Sequence, residues 1–307
     1  MQFIYRSILL GSLVLCLGLS GCGLRAKNKK PEPAQVDYTG TFVFYFPRIE
    51  NADWEVISGP LLCELTQKIP EYGEAKFTRK PLQGLTFSMS VFREPKHPGN
   101  ARLISRTPTW REKEEEDRDL GTIPLVVSKT PFYLHNGWAR RLLAELERGM
   151  NPLFRYSDWA DGRDQINVIL SSATFMPAWR SFQQCEQGLL NYVFDDVRHS
   201  VFQYEVNQTN PDQEAQFRLN QLSEYIKLDP SIKRIQIDGY TDSKGFSRIN
   251  LAVANKRINA IKDYFVAEGI DNNKIKLIAH DEKNAKYDNR TAEGRNKNRR
   301  VEVSLIK

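Results

Sequence analysis

The 307-residue sequence is poor in the side chains that build metal and nucleophile sites. It holds four histidines (His97, His135, His199, His280) and four cysteines (Cys16, Cys22, Cys63, Cys185). The histidines are scattered without ligand spacing, which argues against a zinc centre. No nucleophile–base pairing and no catalytic glycine motif stands out, which argues against an enzyme, so neither a metal nor a cofactor is expected. A dominant charge of one sign is also missing: 44 Lys plus Arg face 38 Asp plus Glu, a formal net charge of +6. So small an excess suits any anionic polymer as well as nucleic acid. Apolar runs are short, and nothing beyond the N-terminus approaches the ~20 residues that cross a bilayer.

The N-terminus reads as an export signal spanning residues 1–21. Arg6 supplies a thin positive start, residues 7–19 are apolar but too short to span a membrane, and small residues follow. Leu19-Ser20-Gly21-Cys22 resembles a bacterial lipobox, in which Cys22 is lipidated and becomes the mature N-terminus. Gly23, where an Asp would favour the inner membrane, points to outer-membrane attachment in the periplasm. An ordinary secretory signal followed by a chance cysteine is the other reading of the same residues. Residues 22–37 read as a linker, whose Lys- and Pro-rich part from Ala26 to Pro33 suits an extended solvated tether. Export removes the need for a nucleic-acid partner. It also places the chain in an oxidising compartment. With Cys16 lost in the signal and Cys22 carrying lipid, Cys63 and Cys185 are expected to form a disulfide, two buried thiols being the alternative.

The 16 Phe, 12 Tyr and 5 Trp suffice for real cores, and the length after the signal suits two domains. Residues 38–192 read as a β-rich, mainly antiparallel domain with few helices. Strands are expected at 42–46, 123–127 and 166–170. Another is expected at 85–92, where Leu85, Phe87, Met89 and Val91 alternate with Thr86, Ser88 and Ser90. Pro60, Pro70, Pro81, Pro95, Pro98 and Pro108 punctuate it with turns. A helix is expected at 137–148 through Leu142, Leu143 and Leu146, with Gly149 as its stop, and a second at 179–192 carrying Cys185. The mixed-charge run 111–119 reads as a solvated loop, a partner-contact surface being the alternative.

Residues 195–307 change pattern. A strand at 201–206 leads to a helix at 212–228, opened by Pro211 and Asp212 and periodic through Phe217, Leu219, Leu222 and Ile226. After a strand at 235–238, Leu251, Ala254, Ile258, Ile261 and Phe265 step along an amphipathic helix that Gly269 ends. Strands at 275–279 and 301–305, separated by a loop, complete a β-α-β-α-β-β order. That order predicts an α/β sandwich with helices on one sheet face.

Three pieces of this second half carry a family resemblance: Gly239-Tyr240-Thr241-Asp242, then Asn250-Leu251-Ala252 running to Arg257, then N-R-T-A-E-G-R-N-K-N-R-R over 289–300. Together they resemble the OmpA-type peptidoglycan-binding domain. The resemblance implies a ligand, the diaminopimelate of the wall's stem peptide, which offers an ammonium and a carboxylate on one carbon. It implies that Asp242 takes the ammonium and Arg257 the carboxylate, a role that suits a planar guanidinium. Thr241, Asn250 and Leu251 match neighbouring positions, and Arg300 reads as a wall contact or support. Ala279-His280-Asp281-Glu282 stands where the family has a Gly-rich turn. Peptidoglycan stems carry free carboxylates, which suits the modest positive excess of the chain. One such small site binds weakly, and a lattice of identical stems supplies the rest through effective concentration.

The first half resembles the MotY family of flagellar motor proteins. Trp54-Glu55, 60–65, 69–77, Leu103-Ile104-Ser105, Pro108-Thr109-Trp110-Arg111, 143–149, Tyr156-Ser157-Asp158-Trp159 and Arg163-Asp164-Gln165 with Ser171-Ser172 carry the likeness. Cys63 and Cys185 fall where that family has its disulfide. The resemblance implies a non-enzymatic protein of a periplasmic ring (the T ring) at the flagellar basal body. Its N-terminal domain would engage the motor and a MotX-like partner that recruits stator units. A general tether of outer membrane to wall, of the Pal type, is the alternative function. The lipobox departs from the ordinary signals of MotY proteins.

Overall fold

The computed structural model describes residues 42–111, 116–157, 164–280 and 285–307. The signal, Cys22 and the tether lie outside the described residues. So do 112–115 of the charged run, Asp158, Trp159 and Arg163, and Asp281 and Glu282. Among the described residues no helix is long and apolar enough to cross a membrane.

The first domain is a sandwich of two five-stranded sheets. One runs β2 (Trp54–Gly59), β3 (Leu62–Ile69), β4 (Gly73–Arg79), β5 (Thr86–Val91) and β8 (Phe132–Leu134), all antiparallel. The other has the order β1 (Phe42–Tyr45), β10 (Gln165–Ile169), β9 (Asn151–Ser157), β6 (Gly99–Arg106) and β7 (Arg118–Leu125). There only the β1–β10 pair is parallel. The expected alternation in β5 holds: Phe87, Met89 and Val91 are buried and Ser90 faces out. Aromatic rings join the sheets, Phe77 meeting Phe87 at 4.9 Å and Phe87 meeting Phe154 of the opposite sheet at 5.6 Å between centroids. Each buried Phe contributes about 1.5–3 kcal/mol.

Helix α1 (Asn136–Glu147) buries Leu142, Leu143 and Leu146 as its periodicity demands. The second helix sits differently from expectation. α2 spans Phe175–Gln187, with Pro177 tolerated in its first turn, and Gly188 stops it. The chain beyond is then free to lay Leu190 against the second core, where the Leu190 amide donates to the Pro60 carbonyl (2.9 Å). Cys185 of α2 bonds Cys63 of β3, with 5.9 Å between their Cα atoms, stapling helix to sheet. The described residues of the charged run, 111 and 116–119, are exposed as expected of a solvated segment, but the run is not loop throughout. Its end enters β7, where Arg118 pairs with buried Glu145 of α1 and Asp119 with Arg102, while Arg111 Nη1 donates to the Arg148 carbonyl.

The second domain follows the short helix α3 (Phe194–Val197). It comprises β11 (His199–Gln203), α4 (Gln213–Leu228), β12 (Arg234–Gly239), α5 (Ser247–Ala267), β13 (Ile275–Ala279), α6 (Ala292–Asn298) and β14 (Arg300–Ile306), with sheet order β11-β14-β12-β13. Asp212 caps α4 by accepting from the Ala215 amide (2.8 Å). Leu219, Leu222 and Ile226 enter the core, but Phe217, expected on that stripe, is 63% exposed. The loop expected before the last strand contains α6, whose Thr291 Oγ1 accepts from the Gly294 amide. β11 starts earlier and ends earlier than 201–206, because the chain from Tyr204 turns toward Arg299.

Candidate functional site

The site lies where β12 ends beside α5. Gly239 makes this approach possible: a Cβ there would sit 2.5 Å from Ile258 Cγ2 and 3.1 Å from the Ala254 carbonyl oxygen. The segment after it is fastened at both ends. The Tyr240 amide donates to the Arg300 carbonyl (2.8 Å), and Asn250 Nδ2 donates to the Asp242 carbonyl (3.2 Å). Thr241, Asp242, Asn250 and Arg257 thereby line one cavity of about 380 Å³, with Lys244, Arg295 and Arg299 around it.

Two of the named residues lie elsewhere. Leu251 is 40% exposed on α5, outside the cavity lining. Arg300 is buried with its guanidinium 3.9 Å from the Tyr240 ring centroid and its Nε donating to Glu302 (2.6 Å). The other face of Tyr240 stacks on His280, centroids 4.4 Å apart, and His280 Nε2 lies 2.9 Å from Asp238 Oδ1. His280 therefore sits in a layered stack outside the lining of the cavity.

Arg257 is 1% exposed. Its Nε donates to the Gln208 carbonyl (2.9 Å), its Nη2 to Glu205 (3.1 Å) and its Nη1 to Tyr240 (3.5 Å), and it lies 4.8 Å from the Tyr204 ring centroid. Burial pulls its pKa down to about 10, a shift that Tyr204 opposes, the Arg299 charge reinforces and Asp242 opposes. It remains a cation at neutral pH. Asp242, 8% exposed, already has a cation: Arg299 Nη1 donates to its Oδ2 (2.9 Å), while its Oδ1 takes the Lys244 amide (3.0 Å). Arg299 is anchored in turn to the Tyr204 carbonyl and Asn296 Oδ1.

Sequence reasoning placed Arg299 in a motif but missed it as the partner of Asp242. The signal available was the carboxylate itself, which in so buried a place requires a cation. Two buried hydroxyls have no hydrogen-bond partner among the described residues, Thr241 Oγ1 and Tyr204 Oη. The first, 4% exposed, belongs to the cavity lining. Among the described residues no group of three or more His, Cys, Asp or Glu is placed to hold a metal.

The family model for the MotY N-terminal domain matches residues 45–191, and that for the OmpA family matches residues 203–299. The sodium-type flagellar protein MotY of Vibrio parahaemolyticus (serotype O3:K6) is 30% identical over 264 residues, 85% of this chain and 89% of that protein. The peptidoglycan-binding protein ArfA of Mycobacterium tuberculosis is 38% identical over 85 residues, 28% of this chain and 26% of its own. The solved C-terminal domain of Helicobacter pylori MotB covers 35% of this chain and 84% of its own, with 20% identity and a TM-score of 0.33. A disulfide-stapled β-sandwich followed by an OmpA-type α/β domain defines a two-domain class of protein. Within that class, the chain belongs to the MotY family.

Proposed function

We propose that the C-terminal cavity grips the diaminopimelate of peptidoglycan stem peptides. On this reading the chain is a non-enzymatic, wall-anchored component of the flagellar motor that positions or stabilises stator units around the basal body through a MotX-like partner. The observation that carries it is the gathering of Asp242, Arg257, Asn250 and the unpartnered Thr241 hydroxyl around one hollow. Asp242 spends two acceptor positions on Arg299 and the Lys244 amide, and a carboxylate offers about four, so an ammonium can share it. Three of the five N–H groups of Arg257 are committed to carbonyls, leaving two for a carboxylate. MotY in Vibrio is by name a sodium-type flagellar protein, and ArfA by name binds peptidoglycan. A stator must resist reaction torque, and its surroundings therefore need a link to something rigid. Residues 38–192 would serve the motor and 195–307 the wall.

The test is complementation of a deletion strain with Asp242→Asn, which keeps the size of the side chain, removes the charge and gives up one of the two acceptor oxygens that now serve Arg299 and the Lys244 amide, with the melting temperature of the variant measured as a control on its fold. Sacculus retention is expected to fall roughly tenfold or more, since a hydrogen bond to a charged group contributes about 1.5–3 kcal/mol. Swimming is expected to be lost with the envelope intact. Undiminished retention would refute the site, and leakage and blebbing with normal swimming would mark a general envelope tether instead.

Outer-membrane attachment through lipid on Cys22 belongs to the same proposal. Cys22→Ser should move the protein from the membrane fraction to the soluble periplasm, and unchanged fractionation would mean an ordinary signal.

A further inference from the structure

The cavity carries more positive charge than a diaminopimelate head group can use. Lys244, Arg257, Arg295 and Arg299 line it, against Asp242 as the one carboxylate among its described lining residues. Asp242 and Arg299 neutralise each other at 2.9 Å. The ammonium and carboxylate of a diaminopimelate end form a zwitterion that brings no net charge, so Arg257, Lys244 and Arg295 are all in excess, and the carboxylate of that end occupies Arg257 alone. That leaves Lys244 and Arg295 unmatched. Arg295 has a structural duty as well, since its Nη1 donates to the Asn289 and Arg290 carbonyls (2.8 and 3.0 Å). Lys244 is exposed and its ammonium has no ion pair or hydrogen bond with any described residue. Two uncompensated cations on the rim of a cavity raise the local potential and favour an anionic group beside the one held in its floor.

We infer that the site, read as above as a stem-peptide site, recognises a second carboxylate on the same peptide through Lys244, with Arg295 supporting it. The substrate class is then a diacidic stem, with a free carboxylate on the residue preceding diaminopimelate, rather than the zwitterionic amino acid alone. Amidation of that carboxylate is the discriminating chemical change: it keeps size and shape and removes the charge.

The experiment titrates the full chain with two synthetic peptides, L-Ala-γ-D-Glu-diaminopimelate and the same peptide with the Glu α-carboxylate as carboxamide. The acid is expected to bind roughly two- to fivefold more tightly at low salt, the scale of an ion pair to an exposed lysine. In Lys244→Gln the ratio should collapse toward one. Lys244 is chosen over Arg295 because its side chain holds no part of the fold. Equal binding of both peptides to the unaltered chain would overturn the inference and leave the stem-peptide reading standing. A ratio retained in Lys244→Gln would overturn it too. Failure of both peptides to bind would remove the underlying reading itself.

Discussion

Arg257→Ala is expected to destabilise the C-terminal domain strongly rather than merely empty its site. The guanidinium satisfies the carbonyls of Glu205, Gln208 and Tyr240 and lies against the Tyr204 ring, at 1% exposure. Alanine leaves buried acceptors without donors, each costing about 1–3 kcal/mol, and opens a hole the size of a long side chain. A loss of about 3–5 kcal/mol follows, a large share of the 5–15 kcal/mol that holds a typical domain. Calorimetry should show the melting temperature falling by more than about 10 °C. A change within about 2 °C would mean that the residue is held by contacts weaker than its geometry implies. The sequence motif suggests a free ligand-binding side chain; the fold makes the same residue the clamp of the loop over it. Loss of wall binding in this variant would thus say nothing about ligand contact, and Asp242→Asn, which leaves Arg299 without its carboxylate, is read only beside its own melting temperature.

The second large effect concerns the disulfide. Cys63 and Cys185 are separated by 122 residues. In the chain-entropy model, closing a loop of about 100 residues stabilises by about 4.7 kcal/mol, with the partition between entropy and enthalpy disputed. Cys63→Ser is therefore expected to cost about 4–5 kcal/mol. The bond also fixes α2 against β3, and Phe175 of that helix meets the Trp54 ring at 5.3 Å. Urea unfolding of the variant, and of the unaltered protein with reductant, should show an earlier transition, and abundance in cells should drop. Equal midpoints with and without reductant would rule out a stabilising role for the bridge.

What could be read from the sequence was local. The alternation in β5, the three leucines of α1 and the Asp212 cap are periodicities and caps, which need only neighbours in the chain. Of the strands left unassigned, β3, β6 and β9 carry buried polar groups (Thr66 and Gln67, Ser105, Asn151) that break the pattern. In β3, Gln67 is fully buried because its side chain bonds the Ala52 carbonyl and both the amide and the carbonyl of Ser171. Likewise α6 hides in a stretch of Asn and Arg, held by Asn298, whose side chain ties Tyr287 and Asn289 together. In the site, the motif brought forward Thr241, Asp242, Asn250 and Arg257. It could not give the pairing of Asp242 with Arg299, a contact across distant segments that only the turn at Tyr204 and the start of β14 create.

The order β11-β14-β12-β13 has a mechanical meaning. β11 leads in from the N-terminal domain at His199, which pairs with Ser304, and reaches Arg300 only at Gln203. Arg299, beside the cavity, stands at the opposite end of the same ladder. A pull between motor and wall would draw these two antiparallel strands past each other along their length. The ladder bonds lie across that direction, so they would share the load together instead of parting one by one like a zip.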